Sequence, residues 1–114
     1  MKRDLELCRK ILLIVEADDQ SPFAIRGFDR ATLNEHVRLL AEAGLIEVTD
    51  LGDLEGDDFR CERLTWAGHD FLSSARNESV WQQVRSDLKK KAADVPFSVL
   101  SELLKRGVAA LFGL

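Results

Sequence analysis

The stretch HVRLLAEAGLIEV, residues 36–48, and the later RLTWAGHDFL, residues 63–72, constrain the fold more than any other feature of the chain. An amphipathic helix stops at Gly44, the position where a left-handed residue closes a helix. The chain then passes directly into an alternating strand. The return strand finishes on Thr65, which can open a new helix by accepting a hydrogen bond from a free backbone N–H. Joints this short leave room for one arrangement, a hairpin flanked closely by two helices.

The remaining segments extend that order. Residues 3–17 predict a helix in which Leu5, Cys8, Leu12 and Val15 recur at helical spacing. Leu7, Ile11 and Ile14 widen the stripe beyond the ~100° of a surface helix, so this helix is central or meets a partner. ADDQSP ends it at Pro22, and FAIRGF predicts an extended piece or a single turn. Asp29 is placed to cap helix 30–43. Leu33, Val37 and Leu40 form its buried stripe, flanked by His36, Leu39 and Ala43; Arg30, Asn34, Glu35, Arg38 and Glu42 face outward. LIEVT and FRCERLT alternate as hairpin strands. Three helices follow: one from Trp66 to about Arg76, one restarting at Asn77 and Ser79, and one over residues 96–112. Ser79 with Gln82 fits a capping box for the second of these.

This order is that of a winged helix. The expected fold is therefore mainly α with a small β-hairpin (α+β): one winged-helix-like domain over residues 1–114, with a core at about 3–76 and a helical extension at about 77–114. A DNA-reading helix-turn-helix needs a short helix ahead of the reader. The eleven residues between Ala17 and Asp29, with Pro22 and Gly27 among them, hardly hold one.

MKRDLELCRKILL, LLAEAGLIE, LTWAGHDFL and the ending VPFSVLSELLKRGVAALFGL resemble the family called domain of unknown function 2513. Its members are small bacterial proteins, often associated with prophages. The resemblance implies a winged-helix-like fold and no assigned activity, so it brings no functional residues with it.

Charge separates the function classes. The chain carries a net charge of −4, but residues 29–64 hold four bases against ten acids, five of those acids within DLGDLEGDD at 50–58. That stretch occupies the wing. Phosphate neutralisation supplies most non-specific DNA affinity, and an acidic wing works against it. DNA binding through helix 30–43, with Arg30, Asn34 and Arg38 as contacts, is the alternative reading. The cluster Lys89–Lys91 is expected as a solvated helix end.

Other chemistries lack their patterns. DLGDLEGDDF does not follow the ligand spacing of a calcium loop. Cys8, Cys61, His36 and His69 offer no close local ligand pairs for zinc. Neither a nucleophile motif nor a phosphate-cradling glycine loop is present, so no enzyme activity, cofactor or metal is expected. The two cysteines are expected as reduced, buried fillers. His36 is expected in the core with one ring nitrogen on backbone, and His69 packed near Leu64. Trp66 and Trp81 are both expected in the core.

No apolar run approaches the ~18 residues of a membrane span. Charges interrupt the N-terminal apolar patch, so a cytoplasmic protein is expected. The last helix carries apolar residues over about 200° of its circumference, roughly twice a single face. Phe97, Leu100, Leu104, Val108, Leu111 and Phe112 are therefore the expected interface of a homodimer or of a contact with another, unidentified protein. A membrane surface is disfavoured, because the polar side is not strongly basic. The expected function is a non-enzymatic binding or regulatory module acting through protein contacts and self-association.

Overall fold

The computed structural model describes residues 2–56 and 58–114; residue 57, part of the acidic stretch, lies outside them. Among the described residues the architecture is mainly helical, with five α-helices and one two-stranded antiparallel hairpin. The chain divides into two compact units, Met1–His69 and Asp70–Leu114.

In the first unit, α1 (Leu5–Ala17) begins where the Asp4 carboxylate accepts the Leu7 N–H at 3.1 Å. It ends at Asp18, a non-glycine residue held in left-handed backbone with φ 54°. Leu7, Cys8, Ile11, Leu12 and Val15 are buried, which makes α1 central to this unit. Each fully buried Leu or Ile there contributes about 1.5–3 kcal/mol through removal from water. A single 3₁₀ turn, Pro22–Ala24, stands where a helix-turn-helix would place its first helix. α2 (Arg30–Glu42) starts at Asp29, whose carboxylate accepts the Thr32 N–H at 2.8 Å. It buries Leu33, Val37 and Leu40 as expected. Gly44, at φ 78°, turns the chain into the hairpin.

β1 (Ile46–Asp50) pairs with β2 (Phe59–Leu64), and the register shifts between Glu47 and Val48. Strict alternation along FRCERL would send Cys61 and Leu64 to opposite faces, because side chains repeat every two residues. The register sets Ile46 opposite Leu64 and Val48 opposite Cys61, so Glu62 is the extra residue of a β-bulge. The bulge returns both apolar residues to the inner face and leaves Glu62 and Arg63 exposed together. Arg63 then forms a two-pronged pair with Glu47 across the strands, at 2.7 and 3.0 Å.

The Thr65 hydroxyl accepts the Gly68 N–H at 3.0 Å and opens α3 (Trp66–Ala75) as expected. It also donates to the Gly44 carbonyl, which ties the start of α3 to the end of α2.

In the second unit, α4 (Glu78–Lys90) is capped by Asn77, whose side chain accepts the Val80 N–H at 3.0 Å. The expected Ser79–Gln82 capping box does not form, because the helix has already started at Glu78, with Asn77 supplying the cap. α5 (Phe97–Leu111) packs against α4. Trp81, Phe71, Leu100 and Leu104 are fully buried, and Phe71 meets Trp81 and Phe97 edge to face, with ring centres 6.4 and 5.5 Å apart.

Candidate functional site

The hairpin tip owes part of its acidity to its own folding. Asp50 accepts the Gly52 N–H and Asp53 accepts the Glu55 N–H, each at 2.8 Å. Such side-chain-to-backbone bonds two residues ahead are the reason Asp and Asn favour turns. Asp53 and Gly56 exchange backbone hydrogen bonds, and the Leu51 N–H reaches the Asp58 carbonyl at 2.8 Å to close the loop. Asp58 also accepts the N–H of Phe59 at 3.0 Å. Between these carboxylates, Leu54 points wholly into solvent.

The same Asp58 carboxylate is paired with the Arg30 guanidinium. Arg30 in turn lies over the Phe23 ring, 3.9 Å from its centre. The first residue of α2 is thus held between an aromatic face and the acidic tip. Around it, Leu51, Asp53, Glu55, Gly56 and Asp58 line a shallow open depression.

The three expected nucleic-acid contacts do not form one outward face. Asn34 was expected to face solvent but is 8% exposed, buried among the apolar residues of α2. Arg38 lies 3.4 Å from Glu35, one turn earlier on the same helix. Arg30 is paired with Asp58. The outer side of α2 is therefore locally compensated rather than cationic.

The six expected interface residues also separate. Leu100 and Leu104 are fully buried in the second unit, Phe97 is half-buried against Phe71, and Val108 is half-buried. Leu111 and Phe112 are exposed, at 59% and 75%, and Leu114 joins them at 92%. The apolar arc of α5 counted in the sequence includes Leu100 and Leu104, which are buried in the second unit where α4 and Phe71 pack on this helix. The cover is tight: a Cβ on Gly107 would lie 2.6 Å from the Val80 side chain.

His36 exceeds its expectation. It is buried, with Nδ1 2.8 Å from the Thr32 carbonyl and Nε2 accepting the Asp4 N–H at 2.9 Å. Those partners assign a neutral ring with its proton on Nδ1. Cys8 and Cys61 are free thiols. Burial pushes their pKa values up to about 12 and about 11, respectively, which suppresses the thiolate that reactivity and metal ligation require.

Two expectations are corrected by position. His69 is exposed rather than packed near Leu64, and its nearest charged neighbour is Glu16, 3.9 Å away. Trp66 is 87% exposed, whereas Trp81 is fully buried. In α3 the buried stripe is Gly68, Phe71, Leu72 and Ala75, and Trp66 falls off it at the first helical position. Gly68 takes the inward position instead, where a side chain would meet the Leu45 carbonyl.

Among the described residues no three His, Cys, Asp or Glu side chains gather as metal ligands, and no helix is long and apolar enough to cross a membrane. An uncharacterised protein of Haemophilus influenzae is 34% identical over 108 residues, covering 90% of this chain and 92% of its own length. No solved structure matches significantly. The model of a family of hypothetical proteins, DUF2513, matches residues 2–94, through α4 and up to the start of α5. By the extent of that match the chain belongs to the DUF2513 family.

Proposed function

We propose that the protein is a non-enzymatic, winged-helix-like binding module that acts through protein contacts and forms a homodimer by the C-terminal end of α5. One observation carries the reading. Leu111, Phe112 and Leu114 are exposed together at the C-terminal end of α5, a helix that buries Leu100 and Leu104. Clustered apolar exposure of this kind marks contact sites, unlike isolated surface leucines. A second copy is the favoured occupant, since two-fold pairing lets one small patch serve both partners.

The non-enzymatic part rests on the engagement of the candidate chemical groups. Both ring nitrogens of His36 are used in folding, and both thiols are held protonated by burial. A cytoplasmic setting belongs to the same proposal, because free thiols accord with a reducing compartment. Protein contact is preferred over DNA because Arg30 and Arg38 each face a carboxylate and Asn34 is buried.

Light scattering after size exclusion tests the proposal. The expected result is twice the monomer mass for the wild type and monomer mass for Leu111→Ser/Phe112→Ser. A wild type that stays monomeric at millimolar concentration overturns it.

A further inference from the structure

The exposed side chains at the end of α5 are too few to hold two copies together by meeting each other. A stable interface covers about 800 Å² on each partner. A large aromatic side chain supplies about 150–250 Å² and a leucine less. Leu111, Phe112 and Leu114 therefore fall short even when wholly covered, and a second apolar surface has to take part. We infer, on the basis of the α5 dimer proposed for this protein, that the end of α5 in one copy lies against Trp66 of the other, the contact occurring twice about the two-fold axis.

Three features support this. Trp66 is 87% exposed although its helix already has a buried stripe in Gly68, Phe71, Leu72 and Ala75, so folding leaves the indole uncovered. The indole also stands on a fixed base. Thr65 caps α3 and donates to the Gly44 carbonyl, and Gly68 seats the same turn against Leu45. A rigid aromatic offers contact area at low entropic cost, and tryptophan is enriched where interfaces concentrate their binding energy. Charge then favours the crossed contact over α5 ends meeting each other. Residues 1–69 carry nine bases and fifteen acids, net −6, whereas residues 70–114 carry seven bases and five acids, net +2. The second unit of one copy is thus attracted to the first unit of the other and repelled by its own kind.

Iodide quenching and light scattering on the same samples test the contact. Trp81 is fully buried and supplies a constant background, so the quenched signal is that of Trp66. Iodide should reach Trp66 in dilute, monomeric protein, and at every concentration in Leu111→Ser/Phe112→Ser. In the wild-type dimer that quenching should be lost. Trp66→Ala should raise the dimer Kd at least about tenfold, as truncation of a central interface tryptophan does. Leu54→Ala, which trims an exposed leucine elsewhere in the first unit, should leave the Kd unchanged. A wild-type dimer whose Trp66 is quenched as in the monomer, or an unchanged Kd for Trp66→Ala, overturns the inference and leaves the α5 dimer standing. A wild type that stays monomeric removes both.

Discussion

At the scale of single residues, polar groups are placed by the partners that the fold brings to them. His36 was legible as a core histidine because it shares the apolar side of α2, and its Thr32 partner lies one turn back on the same helix. Its second partner, the Asp4 N–H, lies 32 positions earlier and had no local signal. We expect His36→Phe to cost about 1–3 kcal/mol, because it leaves the Asp4 amide without its acceptor. Long-range nitrogen NMR should show the ring proton on Nδ1; a signal for protonated Nε2 contradicts the geometry. Asp29 behaves differently. Hydrogen bonding to Thr32 holds its carboxyl below the usual carboxylate range. A lowered folded-state value adds stability that is present above the ordinary range and lost as pH falls through the lowered one. The Tm difference between wild type and Asp29→Ala should therefore be largest at neutral pH and shrink in acid. A difference independent of pH would remove the charged cap from the account.

At the scale of elements, close approach decides which positions accept a side chain. Gly68 and Gly107 both sit inside helices, where glycine carries a propensity cost of about 1 kcal/mol relative to alanine. A Cβ on Gly68 would fall 2.0 Å from the Leu45 carbonyl oxygen, which is backbone and cannot step aside. Gly68→Ala should therefore destabilise by about 3 kcal/mol, the upper end of overpacking costs. At Gly107 the obstacle is one methyl group of Val80, which can shift, and the propensity gain offsets part of the strain. Gly107→Ala should cost less than about 1 kcal/mol in urea melts. The ranking is the test, and a reversed order would mean that the start of α3 does not press on the Leu45 carbonyl. Trp66 belongs to the same lesson. Iodide should quench one of the two tryptophans, and Trp66→Phe should remove that accessible component while Trp81 stays shielded. The periodicity of WAGHDFLSSA itself favours the stripe through Gly68, Phe71, Leu72 and Ala75, since helical spacing from Trp66 meets His69, Asp70 and Ser73; expecting Trp66 in the core weighed residue type over position.

At the scale of the whole molecule, net charge and exposed apolar surface describe what the protein can meet. The first unit holds most of the acids, and the second carries the lysines of α4 and the uncovered end of α5. If the α5 end pairs two copies, Leu111→Ser/Phe112→Ser should abolish association while changing the unfolding free energy of dilute protein by less than about 0.5 kcal/mol, as expected for surface positions. Leu104→Ser should instead unfold the second unit, because it places a hydroxyl without a partner in a fully buried site. Similar losses from both variants would show that the α5 end belongs to the core.

The sequence alone determined which segments are helices, where the hairpin lies, and which apolar stripes of α1 and α2 turn inward, because periodicity, caps and turn residues act over a few neighbouring positions. It also carried the family resemblance. Tertiary structure decided the bulge at Glu62, the second partner of His36, the burial of Leu100 and Leu104 beside the exposed end of α5, and the pairing of Asp58 with Arg30. Each depends on atoms far apart in the chain meeting at a few ångströms, and no local pattern of residues encodes that distance.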